Sequence, residues 1–137
     1  MKKKTALTHN QTVVIEALGA SERPLTAYEI LDLKDVRAKG LKAPLTIYRA
    51  LEKLVDRGLV HRIESLNAYI ACAHRHPHRS VSGFMICNDC KKTVEYPLQE
   101  CESHLLQAPQ AAGFKIGSVR VEMVGQCAAC TEKKNED

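Results

Sequence analysis

The sequence predicts an α+β fold, with a winged helix (a helix-turn-helix followed by a β-hairpin wing) in the first half and a small α/β domain in the second half. Two observations predict this division. Three helical patterns followed by two short β-prone runs fill the first half, which contains no cysteine. All six cysteines lie from Cys72 onward, and four of them form two Cys-x-x-Cys pairs among short strand patterns.

The net charge of the 137-residue chain is concentrated in its first half. Residues 1–70 contain twelve Lys and Arg against eight Asp and Glu, whereas residues 71–137 contain eight of each. The hydrophobic share of 45% and the charged share of 26% are ordinary for a globular protein. A basic half followed by a half rich in cysteine and histidine indicates a nucleic-acid binder joined to a metal module, although a solvated basic surface would carry the same charge.

The first two helices are predicted from apolar spacing and capping residues. One helix runs from about Thr8 to Leu18, with its apolar side chains on one face. A second helix begins after Thr26, since Thr26 and Glu29 have the spacing of a capping box. We expect this second helix to continue to about Asp35.

A third helix and a hairpin complete the predicted winged helix. Pro44 suits the first turn of the helix, and Gly58 is placed to end it. The apolar positions at helical spacing are Ile47, Leu51, Leu54 and Val55. Two β-prone runs, at 59–64 and 68–71, then flank a turn and predict the wing. Because the last helix of such a motif enters the DNA major groove, the first half is expected to bind double-stranded DNA.

The second half predicts a small α/β domain. Its expected elements are strands at 83–86, 93–96 and 115–124 and a helix from Pro97 to about Ala108. Val119, Val121 and Met123 alternate in the last strand and predict one buried face. Strands this short leave an edge that a second copy of the chain would cover, which predicts a homodimer. The charged residues 131–137 are expected to form a disordered tail.

The two cysteine pairs predict a metal site. Cys87 and Cys90 lie on one tight turn, and Cys127 and Cys130 lie on another. Two such turns brought together give a tetrahedral cage of four thiolates, the usual geometry of a structural zinc site. Of the two cysteines outside these pairs, Cys101 is predicted to lie mid-helix on an apolar face, in the core of the domain.

No targeting segment is recognisable. Three lysines follow Met1, but the polar residues 8–11 come before any apolar signal region can form. No apolar stretch approaches membrane-spanning length. We therefore expect a soluble, cytoplasmic protein without a membrane partner, in which thiols stay reduced and free to bind metal.

Other function classes compete for the cysteine pairs. A zinc-dependent deaminase needs a His-x-Glu motif, which is absent, and a proline before its first cysteine, where this chain has Ile86. A thiol oxidoreductase needs one exposed pair at the start of a helix, and two matching pairs suit a cage better. A zinc-storage protein would not need a helix-turn-helix. We therefore expect neither an enzyme nor a small-molecule substrate.

The motifs together resemble the ferric uptake regulator family. The resemblance rests on residues 43–51 and 58–65 and on the two cysteine pairs, and residues 67–72 are most similar to the zinc uptake regulator branch. It extends over about residues 8–130. It implies a zinc-responsive repressor whose zinc-loaded homodimer binds inverted-repeat operators of zinc-uptake genes. An iron- or peroxide-responsive regulator of the same family is the alternative.

The resemblance also implies how the domains divide and where a second metal binds. The implied parts are a winged-helix domain at 1–72, a His-rich hinge at 73–82, and a dimerisation and metal-binding domain at 83–130. The implied regulatory ligands are His61, Cys72, His78 and Glu95, with His76 as the alternative to His78. One thiolate, two imidazoles and a carboxylate suit four-coordinate zinc, so two zinc ions per protomer are expected. Each of these residues also has an interpretation without metal. Considered alone, Cys72 would be an ordinary buried thiol and His61 would be a surface histidine.

The same resemblance implies a set of DNA contacts. The implied residues are Lys42, Thr46, Tyr48, Arg49 and Arg62. Arg49 would reach a guanine edge, and Tyr48 a thymine methyl group or a phosphate, unless Tyr48 packs on its own helix. Lys42 and Thr46 are placed for phosphates, and Arg62 in the wing for the DNA backbone.

Overall fold

The computed structural model describes residues 6–73, 81–117 and 119–135, and the chain divides into two compact units, 1–72 and 73–137. The helices of the first unit are α1 (His9–Gly19), α2 (Ala27–Asp32), α3 (Lys34–Ala38) and α4 (Pro44–Asp56), and its strands are β1 (Val60–Ile63) and β2 (Ala68–Ala71). Within the described ranges, no helix combines the length and the apolar character needed to cross a membrane.

A capping box fixes the start of the second helix as predicted. The Thr26 hydroxyl accepts from the backbone N–H of Glu29, and the Glu29 carboxylate accepts in return from that of Thr26. The predicted length of the second helix is wrong. Leu33 adopts an extended backbone, so α2 ends at Asp32 and α3 begins at Lys34. This break turns the chain so that Val36, only 1% exposed, enters the core.

The predicted third helix is confirmed as α4. It has proline in its first turn, and Gly58 beyond its end has a φ of 73°, in the left-handed region that glycine tolerates. Its buried side chains, Ile47, Ala50, Leu51 and Leu54, form the core of this unit together with α1 and α2. The wing follows as an antiparallel hairpin of β1 and β2, and Asn67 takes the left-handed conformation in its connection.

The core role of α4 predicts a large and local stability effect. Leu51→Ala is expected to lower the free energy of unfolding by about 2–5 kcal/mol, because Leu51 is fully buried and truncation leaves a cavity. Leu45→Ala on the same helix should change it by less than about 0.5 kcal/mol, because Leu45 is 57% exposed. Urea unfolding of both variants measures the difference. Equal losses in the two variants would contradict the assignment of the core.

The second unit is built on a three-stranded sheet. Its elements are β3 (Ser82–Cys87), β4 (Thr93–Pro97), α5 (Glu102–Ala111), β5 (Arg120–Gly125) and α6 (Ala128–Asn135). The strand order is β4-β3-β5, with β4 antiparallel and β5 parallel to the central β3. Gly83 packs closely against Leu98, because a Cβ at this position would lie 2.8 Å from Cδ1 of Leu98 and would require that side chain to shift.

The predicted helix of this unit starts too early. Pro97 is the last residue of β4, and a 3-10 turn at Gln99–Cys101 precedes α5. The backbone N–H of Leu98 donates to the carbonyl of Val81 at 3.2 Å, so the chain stays beside the sheet before the helix begins. Cys101 therefore lies at the end of the turn and is exposed, and the prediction that it is a core residue is wrong.

The expectations for the last strand and the tail also need correction. The strand spans Arg120–Gly125 and has no buried residue, and Met123 is 44% exposed. Its neighbours across the sheet, Met85 and Val94, are 40% and 43% exposed, so the described residues of one protomer leave this apolar row uncovered. The tail predicted to be disordered from residue 131 instead continues α6 as far as Asn135.

Candidate metal centre and nucleic-acid interface

The sheet register brings the two cysteine pairs together. Cys87 is the last residue of β3 and is paired in parallel with Gly125 at the end of β5. The second pair follows at once, with Cys127 before α6 and Cys130 inside it. The four sulfur atoms lie within 4.8 Å of one another, and the Sγ atoms of Cys90 and Cys127 are 3.8 Å apart. The predicted cage is thus present as a cluster of four thiols.

The dimensions and chemistry of this cluster fit zinc. Zinc–thiolate bonds of about 2.3 Å in a tetrahedron require sulfur atoms about 3.8 Å apart, the separation found between Cys90 and Cys127. Four thiolates are also a ligand set typical of structural zinc. Cys87, Cys90, Cys127 and Cys130 are therefore the residues that would hold the ion, which would join the end of the sheet to α6.

The thiols of the cluster differ in acidity. The pKa of Cys87 falls to about 6, mainly because the backbone N–H of Cys127 donates to its sulfur at 3.4 Å and that of Cys90 also donates. The pKa of Cys130 rises to about 12, because its side chain hydrogen-bonds to Cys127 and because burial disfavours its thiolate. Crowded thiols therefore resist full ionisation in the absence of a cation. A bound divalent ion offsets the repulsion between neighbouring thiolates, so the thiols lose their protons when metal binds.

The wing holds two of the residues proposed for the regulatory site. His61 lies in β1 opposite Ile70, and Cys72 follows β2 with its backbone N–H donating to the carbonyl of Leu59 at 2.9 Å. The ligand atoms of His61 and Cys72 lie within 4.8 Å of each other. An imidazole and a thiol thus meet at one end of the hairpin.

The third residue, Glu95, is a buried carboxylate in the second unit. It is 6% exposed, and its two oxygens accept from different groups. Oε2 accepts from the backbone N–H of Ala73 at 3.2 Å, and Oε1 from the Ser82 hydroxyl at 3.3 Å. Ala73 directly follows Cys72 in the chain. The remaining candidate ligands, His76 and His78, lie outside the described residues.

The predicted DNA contacts divide into exposed and internally paired side chains. Tyr48 and Arg49 project from the first half of α4, with Tyr48 40% exposed, and Lys42 is exposed just before the helix. Thr46 is half-buried in the first turn of α4. Arg62 instead donates to Oδ1 of Asn67 at 2.9 Å, and its Nη1 lies 3.5 Å from the carboxylate of Glu64. Arg62 is therefore held within the wing.

Sequence reasoning missed Tyr28 as part of this surface. Its ring meets that of Tyr48 edge to face, with centroids 6.5 Å apart, and its side chain is 60% exposed. The helical spacing of the apolar residues could have predicted the exposure of Tyr28. Ala27, Ile30 and Leu31 form the buried face of α2, which places Tyr28 on the opposite face. Two tyrosines from neighbouring helices thus contact each other on an exposed surface.

A winged helix followed by a sheet unit that clusters four cysteines defines a helix-turn-helix protein with a built-in metal centre. The model of the ferric uptake regulator family matches residues 2–124, and the chain belongs to this family. The chain is 30% identical over 131 residues to the zinc uptake regulation protein of Escherichia coli (strain K12), an alignment that covers 96% of this chain and 76% of that protein. The predicted family membership is confirmed.

Two solved structures are similar to this chain over almost its whole length. One is a zinc uptake regulator complexed with zinc and DNA, with a TM-score of 0.89 and 30% identity over 97% of this chain and 88% of that one. Another is holo XcZur, with a TM-score of 0.84 and 33% identity over 95% of this chain and 89% of that one. These similarities confirm the predicted α+β fold with an N-terminal winged helix.

Proposed function

We propose that this protein is a zinc-responsive transcriptional repressor whose zinc-loaded homodimer binds inverted-repeat operators of zinc-uptake genes. The observation that carries the proposal is the similarity, over 97% of the chain, to a zinc uptake regulator complexed with zinc and DNA. The protein is then a regulator and not an enzyme. It works in the cytoplasm, where DNA is accessible and thiols stay reduced.

Each protomer binds two zinc ions with different roles. The four-cysteine cage holds one ion and joins the end of the sheet to α6, which makes it structural. The second ion binds His61, Cys72, Glu95 and one hinge histidine, with His78 favoured over His76. The closeness of His61 and Cys72 and the burial of Glu95 support this second site.

The thiol of Cys72 favours zinc over iron as the sensed metal. Thiolate and imidazole together suit zinc, whereas a set of carboxylates and imidazoles would suit ferrous iron. Because the ligands come from the wing, the hinge and β4, zinc stabilises only the conformation that assembles all four. Binding therefore shifts the population toward the conformation that binds the operator.

The uncovered apolar row of the second unit supports a homodimer. Met85, Val94 and Met123 are each at least 40% exposed and are adjacent across the sheet. A contiguous apolar surface of this kind marks a protein interface. Two winged helices related by a two-fold axis would then read the two halves of an inverted repeat.

DNA recognition by α4 predicts a specific loss on removal of one arginine. Arg49→Ala is expected to weaken operator binding by about 1–3 kcal/mol, because a bidentate contact to a guanine edge is lost. Arg23→Ala is a matched control in the same unit, since Arg23 is exposed and pairs with Glu29 at 4.0 Å, away from α4. Fluorescence anisotropy with an operator duplex measures both variants. Equal affinities of the two variants would contradict the role of Arg49.

The proposed function is tested by comparing metals under buffered conditions. Purified dimer is titrated into a labelled operator duplex at a series of free zinc levels and, separately, of free ferrous iron levels. Affinity is expected to rise about 5–150-fold with zinc, the usual range of coupling between two sites. An equal rise with iron would favour the iron-responsive alternative, and no rise with either metal would contradict metal-dependent repression.

A further inference from the structure

A chain of polar contacts surrounds the four-cysteine cage on its solvent side. Asp89 lies between Cys87 and Cys90, and its Oδ2 accepts a short hydrogen bond from Nε2 of Gln126. The same oxygen lies 3.6 Å from the Nζ atom of Lys134 in α6. Asp89, in the first cysteine turn, thus contacts one residue before the second cysteine pair, Gln126, and one after it, Lys134.

Gln126 and Thr131 continue this chain. Nε2 of Gln126 donates to Asp89, while its Oε1 accepts from the Thr131 hydroxyl at 3.2 Å, so both ends of the amide are used. The Thr131 hydroxyl also lies 3.0 Å from the carbonyl oxygen of Cys127, and the Thr131 backbone N–H donates to that oxygen at 2.9 Å. Every link is local to the cage, and none involves a sulfur atom.

We propose that Asp89, Gln126, Thr131 and Lys134 form an outer clamp that positions the two cysteine pairs and slows loss of zinc from the cage. This inference rests on the proposed structural zinc and assigns a role to α6. For the ion to leave, the pair at Cys127 and Cys130 must move away from the turn at Cys87 and Cys90. Among the described residues, the side chain of Asp89 links these two turns in addition to the cage sulfurs, so the clamp must break before the turns separate.

The clamp acts on the release of metal more than on folding. The side chains of Asp89 and Lys134 are 41% and 68% exposed, and exposed ion pairs contribute little to global stability. Contacts that orient metal ligands without binding the metal themselves nevertheless change metal affinity by about 10–100-fold when they are removed. Because one link is an ion pair in solvent, part of the effect is screened by salt.

The test is the rate of zinc transfer from the full-length protein to an excess of a chromogenic chelator. The slower phase of transfer reports the cage. Asp89→Ala removes both links and is expected to accelerate this phase about tenfold. Asp89→Asn, which keeps an acceptor for Gln126, and Lys134→Ala, which removes the ion pair alone, should each give a smaller acceleration.

Lys133→Ala is the matched control, since Lys133 is the neighbouring lysine on the same helix and the same charge is removed. It should leave the rate unchanged. High salt should accelerate release from the wild type and leave Lys134→Ala unaffected. Equal rates for the wild type, Asp89→Ala and Lys134→Ala would overturn the clamp, and so would equal acceleration by Lys133→Ala and Lys134→Ala.

Zinc content measured on the same samples separates this inference from the proposed function. If Cys87→Ser held as much zinc as the wild type, the structural site would be overturned, and the clamp with it. If the cage holds zinc but the wild type and all variants release it at the same rate, the clamp alone would be overturned. If Asp89→Ala disturbs the cysteine turn, the rates of zinc release can still be compared between the wild type and Lys134→Ala.

Discussion

Replacing Cys72 with serine is expected to abolish the zinc-dependent gain in operator affinity and leave a folded dimer. Serine keeps the size of the side chain but removes the thiolate, which is the strongest zinc ligand of the proposed regulatory site. Its partners in the proposal, His61 and Glu95, would remain. Fluorescence anisotropy with an operator duplex at buffered free zinc should therefore show the same weak binding at every zinc level.

Two further measurements separate loss of sensing from loss of fold. At free zinc levels that fill only the structural site, the thermal unfolding and the dimer mass of Cys72→Ser should match those of the wild type, and at higher zinc the variant should hold one ion per protomer where the wild type holds two. Cys101→Ser, which replaces an exposed cysteine outside both proposed sites, should retain the full response to zinc. An unfolded Cys72→Ser protein would contradict the division of labour between the two sites.

Replacing Cys87 with serine is expected to have the opposite consequence, with loss of the dimer and of the cooperative unfolding of the second unit. Cys87 is the most buried cysteine of the cage, at 3% exposure, and it joins the end of β3 to the second pair. Structural zinc binds to zinc-finger peptides with an apparent free energy of about 10–16 kcal/mol near neutral pH. That exceeds the whole stability of many domains, which is about 5–15 kcal/mol.

Analytical ultracentrifugation and circular dichroism measure this loss. The first unit should survive in Cys87→Ser, because its core draws on α1, α2 and α4 and on none of the cage residues. Cys101→Ser again supplies the matched control and should remain a folded dimer. A Cys87→Ser protein that stays dimeric, with unchanged unfolding, would show that the cage does not maintain the second unit.

Local chemistry explains which features of the fold were predictable. The capping box at Thr26, the proline at the start of α4 and the apolar spacing along that helix all act within a few residues, and the structure has each of them. The cysteine cage was predictable for a similar reason, since two thiols on one tight turn already suit a metal. These features depend on short-range geometry that the sequence states directly.

The features that were missed depend on packing between distant segments. The break at Leu33 follows from the burial of Val36, and the late start of α5 from the hydrogen bond between Leu98 and Val81. Alternation in the last strand predicts a buried face, but burial depends on what packs against the strand, and the described residues leave every side chain of this strand at least partly exposed. The helix at the end of the chain forms an ion pair through Lys134 with Asp89, which is far from it in sequence.

The central claim is that two zinc ions act separately, one maintaining the second unit and one controlling operator binding. It is tested most directly by measuring zinc per protomer, dimer mass and operator affinity on the same samples across a falling series of free zinc. We predict that operator affinity is lost as zinc falls from two ions to one, while the dimer persists. Operator affinity that survives at one zinc per protomer, or a dimer that dissociates as the first zinc leaves, would contradict the claim.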